Sequence, residues 1–189
     1  MTNSSGCAHQ VRPYSALVVI ARTWLAAMAL AASAFVAGDV RAASSAARLF
    51  CIHRNVNANV VCYDARLRKD GTLDTTRPLD AYWIMRAQKG QREELTPLER
   101  RLAYGFTVSG PVTKAGFDFV LRAEPKRKLQ VRRVQGRISA ITLVSGRRSR
   151  LTSLFVQVEK TWTGPKILYV LLRGVDLRTH ERREERIRR

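Results

Sequence analysis

Aromatic residues make up only 7% of this 189-residue chain, which holds 3 cysteines, 3 histidines and 15 acidic residues against 34 basic ones. So few cysteines exclude a disulfide-dense miniprotein. No two histidines stand at the helical spacing that zinc ligation favours. A Gly-rich phosphate loop and a Gly-x-Ser-x-Gly nucleophile elbow are both missing, which removes two common signatures of nucleotide and acyl-transfer chemistry. Internal repeats, low-complexity tracts and linkers rich in Gly, Pro or Ser are missing too. The net charge of +19 would suit a disordered polycation, yet a hydrophobic content of 46% argues against general disorder. The length admits one domain, with or without a targeting segment.

What is present divides at about residue 42. Arg12 and Arg22 precede an uncharged run, 23–38, dominated by Ala, Leu, Val, Met and Phe. At 16 residues it is marginal for crossing a membrane but matches the apolar region of a secretory signal. Val40-Arg41-Ala42 supplies small side chains where a signal peptidase inspects, so 1–42 reads as a signal peptide cleaved near Ala42. No Cys follows the run directly, which argues against a lipoprotein anchor. The alternative is an uncleaved inner-membrane anchor through 23–38, or a buried helix. Export, to a periplasm, is the expectation. The remainder, 43–189, carries 31 basic and 14 acidic residues, hence +17. A single domain of that size buries about 68–70% of its unfolded surface, enough for its own core.

Short β-type runs separated by turn residues fill that remainder. Leu49–Ile52 and Val60–Tyr63 flank an asparagine-rich turn, and Leu79–Met85 opens after Pro78. Thr96-Pro97-Leu98-Glu99 combines an N-cap, a first-turn proline and a capping-box glutamate, with Leu98 and Leu102 as an apolar stripe and Gly105 as the stop. Strands resume at Phe117–Arg122, Leu129–Val134, Arg137–Val144, Leu151–Val158 and Ile167–Val175. The expected fold is mainly β: one antiparallel sandwich or barrel-like meander of about eight strands, 43–189, with one short helix packed on it.

Cys7 lies in the leader, leaving Cys51 and Cys62. A hairpin closing on the asparagine turn sets them opposite each other, within reach of a disulfide. The alternative is a pair of buried thiols acting as small hydrophobes. Neither has the neighbours of a metal site, and no cofactor is implied. His53, with Asp64 or Glu93 to orient it, is the one arrangement that would suit a hydrolase or carbohydrate-active enzyme. A lone strand histidine is more often structural, so the enzyme case is thin.

Basic residues gather at Lys126-Arg127-Lys128, Arg132-Arg133, Arg137 and Arg147-Arg148, as a patch for polyanions bound through charge. In an exported protein those would be anionic lipid, lipopolysaccharide or cell-wall polymer. Aromatics do not interleave with the basic turns, which disfavours nucleic acid. Arg outnumbers Lys 27 to 7, and a high net charge also serves solubility alone.

One series of motifs spans nearly all of 43–189. It runs Arg54-x-x-Asn57-x-Asn59-Val60-Val61-x-Tyr63-Asp64, Asp70-Gly71, Pro78-x-x-x-Tyr82-Trp83-Ile84, Lys89-Gly90, Glu94-Leu95 and Ala103-Tyr104-Gly105. Leu154-Phe155-Val156 and Leu168-Tyr169-Val170 continue it. In combination these resemble the bacterial domain of unknown function 4833 family, whose members look like exported or envelope-associated proteins with no assigned activity. The resemblance implies a single β-rich domain and no reaction. Cys51 and Cys62 depart from its pattern, so a bond between them rests on local geometry alone. Arg54, Asn57, Asn59, Tyr63, Trp83 and Tyr104 match it. They read either as a polar, aromatic binding pocket or as turn formers and core packing for the helix. Tyr82 and Trp83 are strand neighbours, so only one of them faces the core.

These readings converge on an exported β-domain that serves as a non-catalytic binding or interaction module at the bacterial envelope. A hydrolase using His53, or a purely structural envelope protein, are the alternatives.

Overall fold

In the computed structural model, residues 46–188 are described, and they belong to one compact unit. The leader expected over 1–42, its expected cleavage site near Ala42, the run 23–38 and Cys7 lie outside the described residues. Eleven strands form among the described residues: β1 (Ala46–Arg54), β2 (Asn57–Arg66), β3 (Leu79–Met85), β4 (Gln91–Glu94), β5 (Phe106–Thr113), β6 (Gly116–Leu121), β7 (Glu124–Val134), β8 (Arg137–Val144), β9 (Arg147–Thr161), β10 (Gly164–Asp176) and β11 (Arg182–Arg188). They make one strongly curled open sheet, a half-barrel, rather than a sandwich.

The expected count of about eight therefore falls short by three. The three extra strands are β4, β5 and β11, and all lie at sheet edges. Each lacks the sequence signal of a core strand. β4 is Gln-Arg-Glu-Glu and fully exposed, β11 is charged at every position but Ile187, and β5 is broken by Gly110-Pro111. Charged side chains and proline at an edge also discourage pairing with another chain.

The order β4-β3-β2-β1-β9-β8-β7-β6-β5 is a meander interrupted once. β1 pairs with β9 in parallel, Cys51 beside Ser153 through Arg54 beside Val156, so the sheet is not purely antiparallel as expected. Strand β9 is long enough to take β8 at its start and β1 further on along one edge, and β10 along the other. The two arms thus diverge from β9 and curl toward each other. The chain from Leu95 to Gly105 connects β4 to β5, the two ends of that order.

Alternation sorts the side chains. Phe50, Ile52, Val61, Tyr63, Ala81, Trp83, Phe117, Phe119, Leu129, Val131, Leu151 and Leu154 belong to the main core. Val60, Cys62 and Tyr82 form a smaller cluster on the other face. Of the neighbours Tyr82 and Trp83, the tryptophan faces the main core. Tight hairpins β7–β8 and β8–β9 turn on Gln135-Gly136 and Ser145-Gly146, all four with positive φ. That geometry matches the twist of the flanking strands.

The short helix starts as its sequence implies. Thr96 accepts from the Glu99 amide, and the Glu99 carboxylate accepts from the Thr96 amide, after which Pro97–Glu99 continues as a π-helical turn through Tyr104. The expected apolar stripe is not buried: Leu98 is 58% and Leu102 65% exposed. So short an element fastens through Leu95, Glu99 and Tyr104 instead. Gly105 ends it in an extended conformation, and its role is close approach, because a Cβ there would lie 1.8 Å from the Arg100 carbonyl oxygen.

Candidate binding sites

Three regions concentrate polar side chains. The first is the aromatic set under the short helix. Strands β1, β2 and β3 present Arg54, Tyr63 and Trp83 on the core face, and the π-turn brings Tyr104 above them. Trp83 meets Tyr104 edge to face at 5.3 Å between ring centroids. The Arg54 guanidinium lies 4.9 Å from the Trp83 ring and 5.5 Å from that of Tyr104. Trp83 Nε1 donates to Glu99 at 3.0 Å, and the Tyr63 hydroxyl donates to the Tyr104 carbonyl at 2.8 Å. Burial pushes both tyrosine hydroxyls above their ordinary pKa. Glu99 is partly desolvated, yet hydrogen bonds from Thr96 and Trp83 hold it below the usual carboxylate range.

This cluster fills its own space: the cation over the two rings is the chain's own Arg54. Beside it, Tyr104 borders an open groove of about 380 Å³ with Pro97, Arg101 and Arg122, which Arg54, Tyr63 and Trp83 do not line. Asn57 and Asn59 belong to the turn. The Asn57 side chain accepts from the Asn59 amide, and the Asn59 side chain accepts from the Arg86 amide, tying the β1–β2 turn to the β3–β4 turn.

The second region is on the opposite face of β1–β3. Cys51 and Cys62 stand directly opposite and are joined by a disulfide, Cα to Cα 4.1 Å. Next to it, Arg48 donates to Asp64 and, at 2.7 Å, to Tyr82, while Tyr82 donates to Asp64. Burial opposes the Arg48 charge, but the hydrogen bond and charge of Asp64 raise its pKa overall. Burial, then the bond to Asp64, raises that of Tyr82. Arg92 stacks on the outer side of Tyr82, 3.5 Å from the ring centroid. Both Asp64 oxygens are thereby engaged. His53 lies on this face as well, but Asp64 pairs opposite Arg48, five positions away, on the order of 15 Å along the strand. Burial and the cations Arg86 and Arg173 lower the His53 pKa. The structure joins His53 neither to Asp64, which serves Arg48 and Tyr82, nor to Glu93, which stands opposite Trp83 on β4, three strands away from β1.

The third region is the basic surface, which runs along the outer face of β7 and β8. Successive turns lie at opposite ends of β8, so Arg137 at one end and Arg147 at the other are a strand's length apart, while Lys128 and Arg132 between them share Asp118. Arg132 sits toward the first end and is bound to Asp118 at 2.7 Å. Toward the second end, Lys126, Arg127, Lys128 and Arg148 line a groove of about 660 Å³ on the outer face of β7 and β8. Its floor includes Ile141 and the exposed Leu143. Arg127 is held by Glu185 of β11 at 2.5 Å and by the Leu143 carbonyl. Lys128 reaches Asp118 at 3.5 Å, and Arg148 donates to Gln130 at 3.2 Å. Arg147, beside the turn, does not line the groove. Glu124, Gln130 and Glu185 do, and basic clustering alone could not announce them; the apolar alternation of β8 could have pointed to Leu143.

Among the described residues no helix is long and apolar enough to cross a membrane. No curated protein and no solved structure matches the chain. The family model described as Domain of unknown function (DUF4833) matches residues 50–186, from the second half of β1 into β11, and the chain belongs to that family.

Proposed function

We propose that this is an exported, non-catalytic binding module whose groove over β7 and β8 holds an anionic group of an envelope amphiphile or cell-wall polymer. The observation that carries the reading is the juxtaposition in one open groove of Lys126, Lys128 and Arg148 with the apolar floor of Ile141 and Leu143. Such a surface suits a phosphate or carboxylate attached to an apolar or polymeric body, because cations attract the charge while the floor covers aliphatic surface. Arg127 and Glu185 neutralise each other and set the groove wall. The short leader 1–42 supplies the route out of the cytoplasm in the same proposal, and sequencing the N-terminus of the protein recovered from producing cells tests it: Ala43 as first residue supports export.

Binding is tested by calorimetric titration with lipopolysaccharide and with soluble poly(glycerol phosphate) at low salt. Expected is binding that weakens steeply with salt, and that falls at least ten-fold in the Lys126→Glu/Arg148→Glu double variant. No heat with either ligand at low salt, or unchanged binding in the double variant, would remove the proposal.

A further inference from the structure

The long strand pair β9–β10 projects beyond its neighbours. Pairing of β1 with β9 ends at Val156, and pairing of β11 with β10 begins at Tyr169. Between those limits Val158–Thr161 and Gly164–Ile167 pair only with each other. At the tip, Trp162 is 97% exposed. Tryptophan is highly buried on average, so an almost naked indole at a built turn is the exception. The turn is built: the Thr161 hydroxyl donates to the Gly164 carbonyl at 2.6 Å. Asn55, from the β1–β2 turn, bonds both the amide and the carbonyl of Val158 and braces the base of the ribbon.

Other exposed groups share this end. Ile167 (43%) and Leu168 (36%) lie on the ribbon, and Val56 (41%) follows Asn55 in the turn that clamps it. Lys160 and Lys166 flank the tip, one on each strand, with Glu159 opposite Lys166 in the pairing. The β3–β4 turn, tied to Asn59, adds Arg86 and Lys89 at the same end.

We propose that this ribbon is a membrane anchor: Trp162 and Ile167 enter the interfacial layer of an anionic bilayer while Lys160 and Lys166 meet lipid phosphates. An amphipathic indole favours that interface, and lysine stems run along apolar surface while their ammonium groups stay at the headgroups. Charge decides among occupants. An apolar tip between cations fits a negatively charged lipid surface better than a second copy of a chain that itself carries +19. The site is separate from the β7–β8 groove: Arg148 and Trp162 are fourteen positions apart on or beyond β9, on the order of 45 Å along the strand. It does not rest on the function proposed for that groove.

The test is co-sedimentation of the full-length protein with vesicles of phosphatidylcholine containing phosphatidylglycerol, against phosphatidylcholine alone, with tryptophan emission and quenching by brominated acyl chains. Binding to the anionic vesicles is expected, with a blue-shifted emission. Trp162→Ala should lower partitioning about ten-fold, and Lys160→Glu/Lys166→Glu more, since each cation is worth roughly five-fold near an anionic surface. Trp162→Phe should keep most of the binding but lose the component of quenching that Trp162 contributes. Lys126→Glu/Arg148→Glu should leave that component in place, so a failed groove and a failed anchor are told apart. Unaltered circular dichroism and melting of the variants would exclude unfolding. Partitioning of Trp162→Ala equal to the parent, or equal quenching in Trp162→Phe, would overturn the anchor. So would a dimer in sedimentation equilibrium that Trp162→Ala dissolves.

Discussion

Reducing the Cys51–Cys62 bond is the cleanest perturbation of the fold, because it changes one covalent link and leaves both side chains in place. The two residues are 11 apart in sequence and directly opposite in the β1–β2 register. Cross-linking a loop of that length removes unfolded-state entropy corresponding to about 2.8 kcal/mol at 25 °C in the chain-entropy treatment. In a domain of this size each kilocalorie moves the melting temperature by about 2–4 °C, so reduction should lower it by about 6–11 °C. Cys62 is fully buried between Val60 and Tyr82, so Cys51→Ala/Cys62→Ala should cost somewhat more than reduction, the added part reflecting the space left by sulfur. The assay is urea unfolding of oxidised and reduced protein, with the 51–62 linkage verified by peptide mass. The reduced form should also show a slightly larger denaturant slope, since its unfolded chain is freer to expand. A difference below about 1 kcal/mol, with the linkage verified, would refute the entropic argument for this hairpin.

Trp83→Ala should destabilise by about 3–5 kcal/mol in the same assay, because it empties core volume and removes the indole that both Glu99 and Arg54 contact. A loss under 1 kcal/mol would mean the aromatic set is not packing the helix onto the sheet. Gly105→Ala should impair folding, since its Cβ would collide with the Arg100 backbone; wild-type melting would contradict that close approach. The His53 imidazole, followed by NMR, should titrate below its ordinary value near 6.5, and Arg86→Gln should move it upward. The sign for stability follows. The unfolded state takes the proton more readily, so His53 leaves stability unchanged well above pH 6.5 and lowers it as pH falls below that. A midpoint at or above 6.5 would refute the environment described here.

What the sequence reveals and what it hides divide along the sheet. Central strands announce themselves through buried alternation: Leu79–Met85 and Arg137–Val144 are read with their observed bounds. The edge strands β4, β5 and β11 bury too little on either face to leave a pattern, and the tail 182–188 becomes a strand only because β10 offers it an edge. The cysteine register follows from counting about the asparagine turn, but the same count misplaces Arg48 by one. A bulge at Leu49 shifts the register so that Arg48, not Leu49, stands opposite Asp64. That shift assembles the Arg48–Asp64–Tyr82 group, which no motif announces. Arg54, Tyr63, Trp83 and Tyr104 were legible as a set through the family resemblance, but that Arg54 is the cation lying over the two rings was not, since that depends on how β1 lies beside β2 and β3.

Long-range placement is hidden for a different reason. The parallel pairing of β1 with β9 joins segments about a hundred residues apart, and nothing local in either strand selects the partner. Its consequences are nevertheless specific, because Asn55 can brace Val158 only if β1 lies beside β9. Charge follows the same logic. An excess of basic over acidic side chains must leave some cations without acidic partners, but register decides which ones. Lys128 and Arg132 share Asp118 because β6 lies beside β7, and Arg127 finds Glu185 because β11 returns along β10. Lys126, Lys160 and Lys166 have no acidic group within salt-bridge distance among the described residues. A cluster of basic letters in a sequence is therefore a weaker guide to an anion site than the few cations that folding leaves uncompensated beside exposed apolar surface. Two such places are the floor of Ile141 and Leu143 and the tip at Trp162, and substituting them separately asks of each place what it binds.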